Sequence, residues 1–110
     1  MEQGRMEEIM AEDLTSATTS PKFHNFTGNT NTTEIKLPPW ARFFSVHCKL
    51  KDLFVCNDGA TDGGTPPTHR GEVPKGNYLQ LRIGQGLEQT SSMFVACQDG
   101  TAEISVIVEE

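Results

Sequence analysis

The chain has 110 residues, 35% of them apolar, and a formal net charge of -6. That length allows one domain with some chain to spare. It carries no basic stripe of the kind nucleic-acid binding needs, and no run approaching the roughly 20 apolar residues of a membrane span, so neither class is expected. A core built from about 75 residues buries only about 60% of its unfolded surface and is expected to lean on a partner.

Residues 1–14, MEQGRMEEIMAEDL, form the one helical candidate. Met6, Ile9, Met10 and Leu14 fall at i, i+3, i+4 and i+8, a narrow apolar stripe on an otherwise acidic segment. A helix this short needs a docking surface, so the stripe is expected to anchor on a partner. The segment starts without the basic, then apolar, pattern of a secretory signal. Residues 15–33 are rich in Thr, Ser and Asn, too polar to order themselves. Phe23 and Phe26 stand out there as candidate partner contacts, because aromatics anchor interfaces. Residues 1–32 are therefore expected to be an extended N-terminal arm, and residues 33–110 the folded domain. Asn25-Phe26-Thr27 and Asn31-Thr32-Thr33 match the glycosylation sequon and read as chance matches in a Thr-rich stretch.

From Thr33 onward the pattern turns to short strands. Ile35 and Leu37 alternate with Glu34 and Lys36 before Pro38-Pro39 stops the run. Phe44, Val46 and Cys48 form one phase of the next run, and Leu53 to Cys56 another short strand. Residues 57–71, NDGATDGGTPPTHRG, are Gly- and Pro-rich and read as a long loop. Leu79, Leu81 and Ile83 then alternate with Tyr78, Gln80 and Arg82. Met93–Cys97 and Ala102–Val108 close the chain as an apparent hairpin around Asp99-Gly100, with Ile104, Val106 and Val108 on one side. Six or seven strands without a core helix point to an all-β fold, a small antiparallel β-sandwich or jelly-roll-like barrel. Its expected core is Ile35, Leu37, Phe44, Val46, Val55, Leu79, Leu81, Ile83, Met93, Val95, Ile104, Val106 and Val108.

Reaction chemistry is not visible. Cys48, Cys56 and Cys97 lack metal-ligand spacing and read as small reduced apolar residues of a protein made in a cytosol. Asp58 and Asp62 do not match a calcium loop. His24, His47 and His69 are scattered, and Cys48 and His47 project to opposite sides of one strand. No catalytic residue, metal or cofactor is expected, and a small hydrolase finds no nucleophile, base and orienting group. Trp40, after two prolines, reads as a cap on the core, or as a sugar-stacking platform in an alternative tail or surface carbohydrate-binding module that would also use the 57–71 loop. Phe43 and Phe54, out of phase with the core, could form a second apolar face at a subunit interface. Ile107 sits on the polar phase between Ser105 and Glu109, where an apolar residue is expected to meet a neighbour.

The order of these segments resembles small β-sandwich virion proteins of tailed bacteriophages. The cues are Glu34-Ile35-Lys36-Leu37-Pro38 at the entry, and Phe94-Val95-Ala96 with Thr101 to Glu110 at the exit, over residues 33–110. The resemblance implies a non-enzymatic structural role in the virion, as a head decoration (cement) protein or another head or tail component. It also implies an N-terminal arm that lashes the protein to capsid or tail subunits. Oligomerisation on the lattice is the natural way to complete a marginal core.

Overall fold

The period-two segments are realised as strands in a computed structural model of the chain, which describes residues 11–57, 70–83 and 92–110. The described residues form strands β1 (Ala11–Asp13), β2 (Lys22–Gly28), β3 (Thr33–Lys36), β4 (Phe43–His47), β5 (Leu53–Cys56), β6 (Gly71–Val73), β7 (Tyr78–Arg82), β8 (Ser92–Cys97) and β9 (Ala102–Glu109). They form two sheets, one in the order β1-β3-β8-β5-β6 and one in the order β2-β9-β4-β7. All pairings are antiparallel except β1 with β3. The fold is an all-β sandwich, as expected, and the described residues contain no helix.

Inward positions follow the alternation. Ile35, Val95, Val55 and Leu53 face Phe44, Val46, Val106 and Val108 across the core, all with 2% exposure or less. The expected core residues all pack there, although Leu79 and Leu81 are only partly buried. Most strands offer a polar phase to water, while β5 is buried on both phases. Cys48, Cys56 and Cys97 are buried free thiols. Burial raises the Cys97 thiol above its ordinary range, and the neighbouring Cys48 adds to the effect.

Three expectations are corrected. First, Met93–Cys97 and Ala102–Val108 are strands, but they are not a hairpin. β8 is the middle strand of one sheet and β9 an inner strand of the other. Gly100 takes the expected left-handed conformation, φ 67°, and the turn arches from sheet to sheet. Each strand buries its apolar inner phase in the core from its own sheet.

Second, the described end of the candidate helix is β1. Asp13 accepts bonds from the Thr15 amide (2.9 Å) and hydroxyl (2.6 Å), an Asx turn that competes with helix. Leu14 then enters the core at 3% exposure. Third, residues 11–32 are not an arm outside the domain. β2 pairs along its whole length with β9, and Phe26 is in the core. Thr and aromatic residues fit a pleated, half-buried surface, and this preference outweighed the polar composition. Met6, Ile9 and Met10, like the loop carboxylates Asp58 and Asp62, lie outside the described residues.

Candidate functional site

The outer face of the four-stranded sheet carries Phe23 and Tyr78, two of the three exposed large apolar side chains among the described residues; the third, Leu50, lies in the β4–β5 connection. Period two sends Phe23 outward and Phe26 inward, because they stand three residues apart on one strand. Phe23 is 66% exposed and pairs across β2 and β9 with Ile107. Ile107 in turn lies opposite Ser45 of β4. The neighbour expected for Ile107 is thus Phe23 of the same chain. At the far side of the face, His47 stacks on Tyr78 with ring centroids 4.2 Å apart, and its Nδ1–H donates to the Asn77 carbonyl at 3.0 Å. Tyr78 remains 62% exposed. The Arg82 guanidinium lies over the Phe43 ring, 5.4 Å from its centroid. The Gln80 amide donates to Glu109 at 3.2 Å. Phe23, Ile107, Phe43 and Tyr78 therefore stand on one pleated face with polar groups between them. Such an arrangement suits docking, because large rigid rings add contact area at small entropic cost.

Phe43 and Phe54 do not share a face. Phe43 belongs to this sheet, while Phe54 points outward from β5 in the other sheet and is only 2% exposed. Phe54 therefore adds nothing to an accessible interface.

Trp40 is engaged internally. Its indole N–H donates to the Ala17 carbonyl at 2.8 Å, and its ring packs against the core. The cap reading holds, and the side chain also clips the β1–β2 connection onto the domain. Leu14 and Phe26, expected at a partner surface, are spent in the core. Of the described candidate contacts, Phe23 and Ile107 come together; Leu14, Phe26 and Trp40 are internal.

The two flanks of the sandwich carry the remaining polar groups. At the β1/β2 flank, Glu12 and His24 point inward from different sheets and meet at 2.6 Å. Beside them lies a polar notch of about 370 Å³ lined by Asp13, Thr18, Thr19 and Lys22. At the β6/β7 flank the sheets part over a cleft of about 390 Å³ with a largely apolar lining. Sequence reading missed the Glu12–His24 pair; the inward phase of His24 opposite Val106 was the signal that could have found it. Among the described residues, no three His, Cys, Asp or Glu side chains are grouped to hold a metal ion, and no helix is long and apolar enough to cross a membrane. No protein-family model, curated protein or solved structure matches the chain.

Proposed function

We propose that the protein is a non-enzymatic structural component of a bacteriophage virion, a decoration or cement protein that docks on capsid or tail subunits. The observation that carries this reading is the Phe23–Ile107 pair on an open sheet face, flanked by Phe43 and Tyr78. A face of this kind fits a protein whose many weak contacts add up on a lattice. Copies then associate side by side on the particle surface. The sugar-platform reading is not carried forward, because the Trp40 ring packs against the core and its N–H is bonded within the chain.

The test is co-sedimentation of the purified protein with particles of the phage that encodes it. Wild type should pellet with the particles, and Phe23→Asp should weaken binding at least tenfold while the thermal transition stays within a few degrees. Absence of wild-type protein from the particles, or unchanged binding of Phe23→Asp together with Ile107→Asp, would overturn the proposal. Deleting residues 1–28 is not a usable test of an arm, because it removes β1, β2, Leu14 and Phe26 from the fold.

A further inference from the structure

Two arches run side by side at one end of the sandwich. Residues 49–52 lead from the β4 end of the four-stranded sheet to β5 in the other sheet, and residues 98–101 lead from β8 back to β9. The arches are tied to each other. The Gln98 amide donates to the Asp52 carbonyl at 2.8 Å, the Gln98 side-chain amide donates to the Leu53 carbonyl at 3.1 Å, and Lys51 meets Asp99 at 3.5 Å. Both arches lie wholly within the described residues.

A cysteine stands at one foot of each arch, Cys48 on the four-stranded sheet and Cys97 on the five-stranded sheet. Cys97 is registered with Leu53, the far foot of the first arch. On the other sheet Val46 pairs with Val106 and His47 with Ser105, so one more step sets Cys48 beside Ile104. Ile104 is two residues from Ala102, the far foot of the second arch, and the Ala102 amide donates to the Cys97 sulfur. The two cysteines are thus diagonal corners of one small frame. Both side chains enter the same core cluster, Cys48 at 1% and Cys97 at 0% exposure. Their main chains are held in place. The Cys48 carbonyl accepts the Gly76 amide and the Cys97 amide donates to the Asn29 carbonyl, each at 2.8 Å. Cys56 stands apart, on the outward phase of β5 with Phe54.

We propose that Cys48 and Cys97 form an oxidation site, where a low-molecular-weight disulfide such as oxidised glutathione converts the two thiols into a bond that fastens one sheet to the other. The thiolate of one cysteine attacks a glutathione sulfur, that disulfide breaks, and one glutathione thiol leaves. The second cysteine attacks the mixed disulfide and releases the second glutathione. The cysteines lose two protons and two electrons, and the glutathione sulfurs gain them. Burial shields both thiols in the folded protein, so the exchange takes place while the chain folds. The site therefore records the redox state of the medium in which the chain folds, with free thiols as the reduced outcome. Closing the loop from residue 48 to residue 97 restricts the unfolded chain, which is how a cross-link stabilises. The inference does not depend on the docking role proposed above.

The test unfolds the full chain in urea and refolds it with a mixture of oxidised and reduced glutathione, and in parallel with a reducing dithiol. The glutathione sample should lose the mass of two hydrogens. Peptide mapping without reduction should join Cys48 to Cys97, and Cys56 should still react with iodoacetamide once the protein is unfolded. The cross-linked protein should melt at least about 5 °C above the reduced one. Cys56→Ala should keep both the bond and the gain, while Cys48→Ala should show neither; the wild-type map decides the pairing if Cys48→Ala fails to fold. Three free thiols or glutathione adducts after oxidative refolding, or a bond that includes Cys56, would overturn the inference. So would a Cys48–Cys97 bond that leaves the melting temperature unchanged or lower.

Discussion

The two flanks of the sandwich solve the same problem differently. At the β1/β2 flank, sheet edges are tied together: Glu12 meets His24 between the sheets, Trp40 holds Ala17, and Leu14 and Phe26 fill the space beneath. At the β6/β7 flank, the inward Leu79 and Leu81 line a cleft. The difference teaches that the polar N-terminal segment is a closure device for the flank that receives it. Small sandwiches must manage their edges, and the N-terminal segment does so at the β1/β2 flank.

The largest test of that contrast is a pair of truncations. Phe26→Ala at the sealed flank should cost about 3–5 kcal/mol, the usual loss for a buried aromatic, whereas Leu79→Ala at the β6/β7 flank should cost clearly less because its site is partly hydrated already. Urea denaturation measures both, and equal losses would erase the distinction between the flanks. A smaller effect of opposite sign is expected at Thr33. Its hydroxyl is buried without a hydrogen-bond partner, on the strand that joins β1 to the rest of its sheet. Thr33→Val should therefore stabilise the protein by about 1 kcal/mol in the same experiment, and a loss would mean that the hydroxyl is satisfied in solution.

The smallest expected effect is in acid. The Thr15 hydroxyl, and then its amide, hold the Asp13 carboxyl below its ordinary value of 3.8. A carboxyl lowered in the folded state contributes stability that is present above 3.8 and lost as pH falls through the folded value. Wild type should thus lose thermal stability more steeply below about pH 4 than Asp13→Asn, which keeps an acceptor for the turn but does not titrate. Parallel curves for the two proteins would show that the turn does not sense the charge. Because Asp13 is exposed, the shift should be slight and readable only as this difference.

Much of the strand content was legible, because alternation in segments such as Leu79 to Ile83 and Ile104 to Val108 reports which phase is inward. Pairing was not legible. Asp99-Gly100 supplies the left-handed residue for a hairpin and for a sheet-to-sheet arch alike, and the choice depends on what lies across the core. The N-terminal strands were hidden for another reason. In β2 two of the inward positions are Lys22 and His24, which a strand at the sheet edge tolerates because their heads reach water or Glu12. With those positions polar, Phe26 stood alone and looked like a contact for another chain. The docking face was half legible: Phe23 and Ile107 each broke a polar phase, but only the β2–β9 register brought them together.

The connectivity of the strands also constrains how the protein is made. Of the pairings among the described residues, only β5–β6 joins strands that follow each other in this order. β2, beginning at Lys22, has to wait for β9, ending at Glu109, before its ladder can form. Contacts of such long range slow folding, into the range of milliseconds to seconds for small β domains. During synthesis the growing chain cannot complete its four-stranded sheet until β9 has emerged. Until then Phe23, Phe26 and the inner residues of β4 are exposed together, and the nascent chain is prone to aggregation.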